Sequence, residues 1–82
     1  MATPLNLTGE QVRAARLLLG WGVWRLASKA GLPQGTIRRI EAQPEQPAGT
    51  PTQQARFKQV FAIAGVEFTA ELPGVRLREP AP

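Results

Sequence analysis

The side chains with the most chemistry to offer in this 82-residue chain are its cations, eight arginines and two lysines against six glutamates. Histidine, cysteine and aspartate are absent. Without them, Ser-His-Asp and Cys-His catalysis cannot be assembled, nor can thiolate or imidazole metal sites. Isolated glutamates leave no constellation for acid–base work. The expectation is a binding module rather than an enzyme, with no cofactor, no metal and no small-molecule ligand. What remains is guanidinium chemistry, whose planar fork fits phosphate oxygens and the O6/N7 edge of guanine.

The cations are unevenly spread. Residues 8–43 hold Arg13, Arg16, Arg25, Lys29, Arg38 and Arg39 against Glu10 and Glu41. Residues 44–82 hold four cations and four glutamates, so the whole net charge of +4 belongs to the first half. A localised basic field points to a polyanion; solvated helix faces are the competing explanation.

A chain of this length makes one domain and buries roughly 60–65% of its unfolded surface. Its core is small enough that association with a second copy is the expected extra source of stability. No apolar run approaches the ~18–20 residues of a membrane span. The opening residues have no basic segment followed by a signal-peptide core, and a cytoplasmic location is expected.

The elements that must position the cations are legible from caps and periodicity. Thr8 with Gln11 forms a capping box, and Leu7 with Val12 a hydrophobic staple, which predicts a helix near 8–19 with Val12, Ala15, Leu18 and Leu19 inward. A second helix near 22–30 buries Val23, Leu26, Ala27 and Ala30 and closes at Gly31. A third, near 33–43, begins at Pro33, has Ile37 and Ile40 as core positions, and ends at Pro44. Residues 44–51 (PEQPAGTP) read as a polar linker. Thr50-Pro51-Thr52-Gln53 is a second capping box and opens a fourth helix near 51–64, with Phe57, Val60, Phe61 and Ala64 on one face and Gly65 at its end. Past that point the period becomes two, and Val66, Phe68, Val75 and Leu77 predict a hairpin near 66–78 around Leu72-Pro73-Gly74. Residues 79–82 form a tail. Trp21 is read as core. Trp24, three residues on, either extends that core stripe or faces a partner, and partial burial is favoured.

The segment Gly20–Glu41, GWGVWRLASKAGLPQGTIRRIE, carries the offsets of a helix-turn-helix. Ala27 is followed by Gly31 four later, Ile37 six after that and Ile40 three further. A small residue is needed where two helices cross closely, a glycine where the turn takes a positive φ, and two apolar residues where the third helix plugs into the core. With Leu26-Ala27-x-x-x-Gly31, Thr36-Ile37, Ile40-Glu41 and Arg16, the chain resembles the phage repressor/Cro-type (XRE-like) helix-turn-helix transcriptional regulators over roughly residues 7–78. The end, Ala64-Gly65-Val66-Glu67-Phe68 and Pro73-Gly74-Val75-Arg76-Leu77-Arg78, looks like that of short alphaproteobacterial members with a C-terminal hairpin.

The resemblance implies a mainly α, four-helix repressor-like domain that binds double-stranded DNA as a homodimer. Helix 33–43 would be the recognition helix, with Gln34, Gly35, Thr36, Arg38 and Arg39 toward base edges. Arg38 stands where the family often has a small polar residue, and Gly35 offers no side chain and lets the backbone approach. Arg13, Arg25 and Lys29 would meet the DNA backbone. Arg16 and Glu41 would form a structural ion pair that ties the first helix to the end of the third. Val66, Phe68, Val75 and Leu77 would either pack on their own chain or form the dimer seam. Two positions depart from the family pattern. Val23 replaces a glutamine that contacts the DNA backbone, and Pro33 removes a cap hydroxyl. They support the alternative of a protein-interaction module or antitoxin-like component whose hairpin binds a partner protein.

Overall fold

The computed structural model describes residues 7–69 and 74–78. The expected turn at Leu72-Pro73 and the tail 79–82 lie outside the described residues. The chain is mainly α: helices α1 (Gly9–Leu18), α2 (Val23–Ala30), α3 (Gln34–Glu41) and α4 (Pro51–Ala64) precede strands β1 (Val66–Phe68) and β2 (Val75–Leu77).

Both capping boxes form. The Thr8 hydroxyl accepts the Gln11 amide while the Gln11 side chain accepts the Thr8 amide, and Thr50 and Gln53 do the same at α4. Each box satisfies two amides that a helix start leaves without intrahelical partners. Gly31 closes α2 at φ +69°, and Leu32 N–H reaches back to Ala27 O at 2.9 Å, a left-handed exit that a β-carbon would strain. Helix α3 is shorter than its expected 33–43 span. Pro33, with extended backbone, stands at the cap rather than inside the first turn, and Ala42 closes the other end.

The core takes Val12 and Ala15 from α1, Leu26, Ala27 and Ala30 from α2, Ile37 and Ile40 from α3, and Phe57 and Phe61 from α4. Leu7, Ala48 and Val66 close it. Phe61 is its hub, with ring centroids 6.3 Å from Trp21, 6.4 Å from Phe57 and 6.0 Å from Phe68. Trp21 is half-buried against this cluster, as its role at the α1–α2 corner requires. Leu18, expected inward, is 41% exposed beside Leu17 at 52%. Val12 and Ala15 fill the buried stripe of α1, and Leu18, the last residue of the helix, falls at the edge of that stripe.

The stretch 44–50 is not the loose linker its composition suggests. Its backbone grips the start of α1: Gly9 N–H donates to Gln46 O, Glu10 N–H to Pro44 O, and Ala48 N–H to Leu7 O. Ala48 is fully buried. Gln54 completes the clasp from α4; its buried side chain accepts Leu7 N–H at 3.1 Å and donates to Gly49 O at 3.0 Å. Composition hides this packing because the bonds are made by backbone groups, which every residue type carries.

Gly9 sits where α1 meets the end of α3. A β-carbon there would collide with Ile40 O and stand 2.8 Å from Gln43 O. Gly9→Ala is therefore expected to destabilise the fold by about 1–3 kcal/mol, the usual scale for overpacking against atoms that cannot give way. A urea midpoint equal to that of the parent chain would contradict the close approach.

The strands pair antiparallel in the register Val66↔Leu77, Glu67↔Arg76 and Phe68↔Val75. The hairpin lies on its own helices: Val66 is buried, Phe68 and Val75 are half-buried, and Leu77 is 47% exposed. Val66 is thereby removed from any dimer seam, because it belongs to the core of its own chain. On the other face Glu67 pairs with Arg76 at 3.0 Å and Arg78 at 3.5 Å. These groups are solvent-exposed and contribute under about 1 kcal/mol.

Candidate nucleic-acid interface

Helix α3 is anchored by its buried side and presents the other to solvent. Ile37 and Ile40 face the core, and at 100° per residue the arc opposite them centres on Gly35, with Arg38 and Arg39 about 60° and 40° to either side. Gln34, Gly35, Arg38 and Arg39 are exposed, and Thr36 is partly covered. Arg38 donates to Gln34 Oε1 at 3.2 Å, a bond between neighbours one turn apart. The Gln34 amide NH2 and the remaining guanidinium N–H groups can still face a partner's acceptors.

The sole carboxylate of α3 is withdrawn from this surface. Glu41 binds Arg16 through two parallel contacts, Nε to Oε2 and Nη2 to Oε1, both 2.8 Å. The two side chains are only 12% and 9% exposed. Arg16 Nη1 also donates to Trp21 O at 2.9 Å, a bond to the α1–α2 corner that sequence spacing does not reveal. The Glu41 hydrogen bonds raise the Arg16 pKa, burial opposes them, and the Glu41 charge adds to the rise. The folded-state pKa lies above the unfolded one, so this contribution is complete below the ordinary arginine pKa. As pH rises, it is lost on passing through the folded arginine pKa, in strongly alkaline solution.

Arg25, Lys29 and Arg13 have different surroundings. Arg25 is exposed and lies 5.7 Å over the Trp24 ring. Trp24, for which partial burial was expected, is 60% exposed. The buried stripe of α2 is already filled by Leu26, Ala27 and Ala30, and position 24 falls outside that arc. Lys29 follows Arg25 by one turn on the same side of α2. Its ammonium sits 5.5 Å from the Trp21 ring centroid, and the residue lines a groove with Arg56, Gln59 and Ile63 of α4. Arg13 lines a groove with Glu10, Glu41 and Glu45, an acidic setting unlike that expected of a phosphate contact.

Arg56 has a role that the sequence reading missed. Its Nη1 lies 3.4 Å from both Ala30 O and Gly31 O, at the negative end of α2. A basic residue one helix away from a glycine-capped end carries no spacing signal for such a bond.

Among the described residues no cluster of three potential metal ligands occurs, and no helix is long and apolar enough to cross a membrane. The chain matches no family model, no curated protein and no solved structure.

Proposed function

We propose that the chain is a sequence-specific regulator of transcription that binds double-stranded DNA. In this reading α2 and α3 form a helix-turn-helix, and α3 reads the major groove as part of a homodimeric, cytoplasmic repressor. One observation carries the reading: the only acid of α3 is turned onto Arg16, so the helix offers DNA a face of glutamine, glycine and two arginines with no carboxylate on it. Gln34 suits adenine and arginine suits guanine. Arg25 is the phosphate contact best supported, since it is exposed and close to the start of α2. Arg13, beside Glu10 and Glu45, and Lys29, beside Trp21, are the further contacts proposed to the DNA backbone.

The test is selection of duplexes from a random pool, followed by titration of variants. A two-fold dimer with one α3 in each of two successive major grooves requires a near-palindromic site with half-site centres about 10 base pairs apart. Arg38→Ala is expected to cost about 1–3 kcal/mol per half-site on the selected duplex and little on a scrambled one. Arg25→Ala is expected to weaken both similarly and to lower the log–log salt slope by about one unit. A specificity ratio untouched by Arg38→Ala transfers base reading to Arg39.

Self-association draws on Leu17 and Leu18 of α1 and Leu77 of β2, which stay exposed on two elements that pack together. Sedimentation is expected to show the mass of two copies in the micromolar range. A monomer at high micromolar concentration without DNA would count against a free dimer.

The second reading, a protein-interaction module or antitoxin-like component, draws on the exposure of Trp24 and of Ile63, the latter 80% exposed. Failure to enrich any duplex at low salt would favour it.

A further inference from the structure

Two helical glycines stand close to the reading helix or within it, and the fold explains only one of them. Gly9 is fixed by the carbonyls of Ile40 and Gln43. Gly35 has no such reason: a β-carbon built there meets nothing within 4 Å, its φ is not positive, and the residue is exposed. Glycine in a helix is less stable than alanine because more backbone freedom is lost on folding. The fold therefore carries at Gly35 a destabilising residue that its own packing and backbone geometry do not call for.

The position of Gly35 supplies the reason. It lies at the centre of the solvent arc of α3, with Arg38 and Arg39 on either side. We infer that Gly35 sets the depth at which α3 seats in the groove. With no β-carbon, the helix backbone itself is the point of closest approach to the base edges, and the two arginines straddle it. A β-carbon stands about 1.5 Å off the backbone. Hydrogen bonds tolerate only about 2.7–3.2 Å between heavy atoms, so a lift of about 1 Å takes the flanking contacts out of range. The inference rests on the DNA reading of α3 and divides its labour: the glycine fixes distance, and the arginines discriminate.

The experiment compares the parent chain with Gly35→Ala on a duplex selected by the parent, on a scrambled duplex, and in a thermal melt. Arg38→Ala serves as the control for a lost base contact. Gly35→Ala is expected to melt about 2–6 °C higher. Its Kd for the selected duplex is expected to rise at least about tenfold, comparable with one lost base contact, with the scrambled duplex bound as before. A variant that binds the selected duplex within twofold of the parent overturns the depth assignment while leaving the DNA reading in place. A lower melting temperature overturns the premise that the fold has no need of the glycine. A parent chain that enriches no duplex overturns the DNA reading and this inference together.

Discussion

Glu41→Ala is expected to lower the melting temperature by at least about 12 °C, the equivalent of about 3 kcal/mol in a domain of this size. The substitution leaves the Arg16 guanidinium almost enclosed, with Trp21 O as its remaining hydrogen-bond partner. The large effect comes from stranding that charge, not from the net worth of the pair. Replacing both partners with leucine is therefore expected to recover most of the loss. A melt unchanged by Glu41→Ala would contradict the bidentate contact. The same pair fixes α3 against α1, so Glu41→Ala assayed well below its melting temperature is expected to lose specific DNA affinity more than non-specific affinity.

Phe61→Ala is expected to cost about 3–5 kcal/mol, enough to unfold much of the population at 37 °C. Phe61 is fully buried and touches three other aromatic rings from three parts of the chain. Truncation opens a cavity between α4, the α1–α2 corner and β1, and no neighbour of matching size can collapse into it. Trp21 emission reports the change, because that ring loses its stacked partner and meets water, while exposed Trp24 supplies a constant background. Phe61→Leu keeps most of the volume and is expected to lose about 1 kcal/mol. Equal melts for the alanine and leucine variants would show that Phe61 is not the hub.

The fold and the site were legible to different depths. Both capping boxes could be read because their chemistry is local: a hydroxyl and an amide three residues apart settle the helix start wherever the rest of the chain goes. Ile37 and Ile40 could be read because a two-residue apolar stripe on an otherwise polar helix has one possible inward face. The clasp of residues 44–50 on α1 could not, since it rests on carbonyls and amides that composition does not distinguish. Nor could the seat of Lys29 over the Trp21 ring. A lysine's flexible stem can settle over an aromatic ring that only the fold brings near, and here that ring is Trp21. Leu18 and Trp24 followed the apolar period but lay at the edge of stripes already filled.

The clasp has a mechanical consequence. Helix α3 is fastened most densely at its C-terminal end, at Glu41 by Arg16, at Ile40 and Gln43 by the close approach of Gly9, and at Pro44 and Gln46 by bonds to the start of α1, while fully buried Ile37 holds its middle to the core. Its opposite end meets solvent at Pro33, which lacks an amide hydrogen and makes no side-chain cap bond. The helix is thus an arm about 12 Å long, held at its root and at Ile37, with Gln34 and Gly35 on the one turn beyond. An arm held at two points keeps its tip in a fixed place relative to the body of the protein, so whatever meets Gln34 and Gly35 meets a rigid surface.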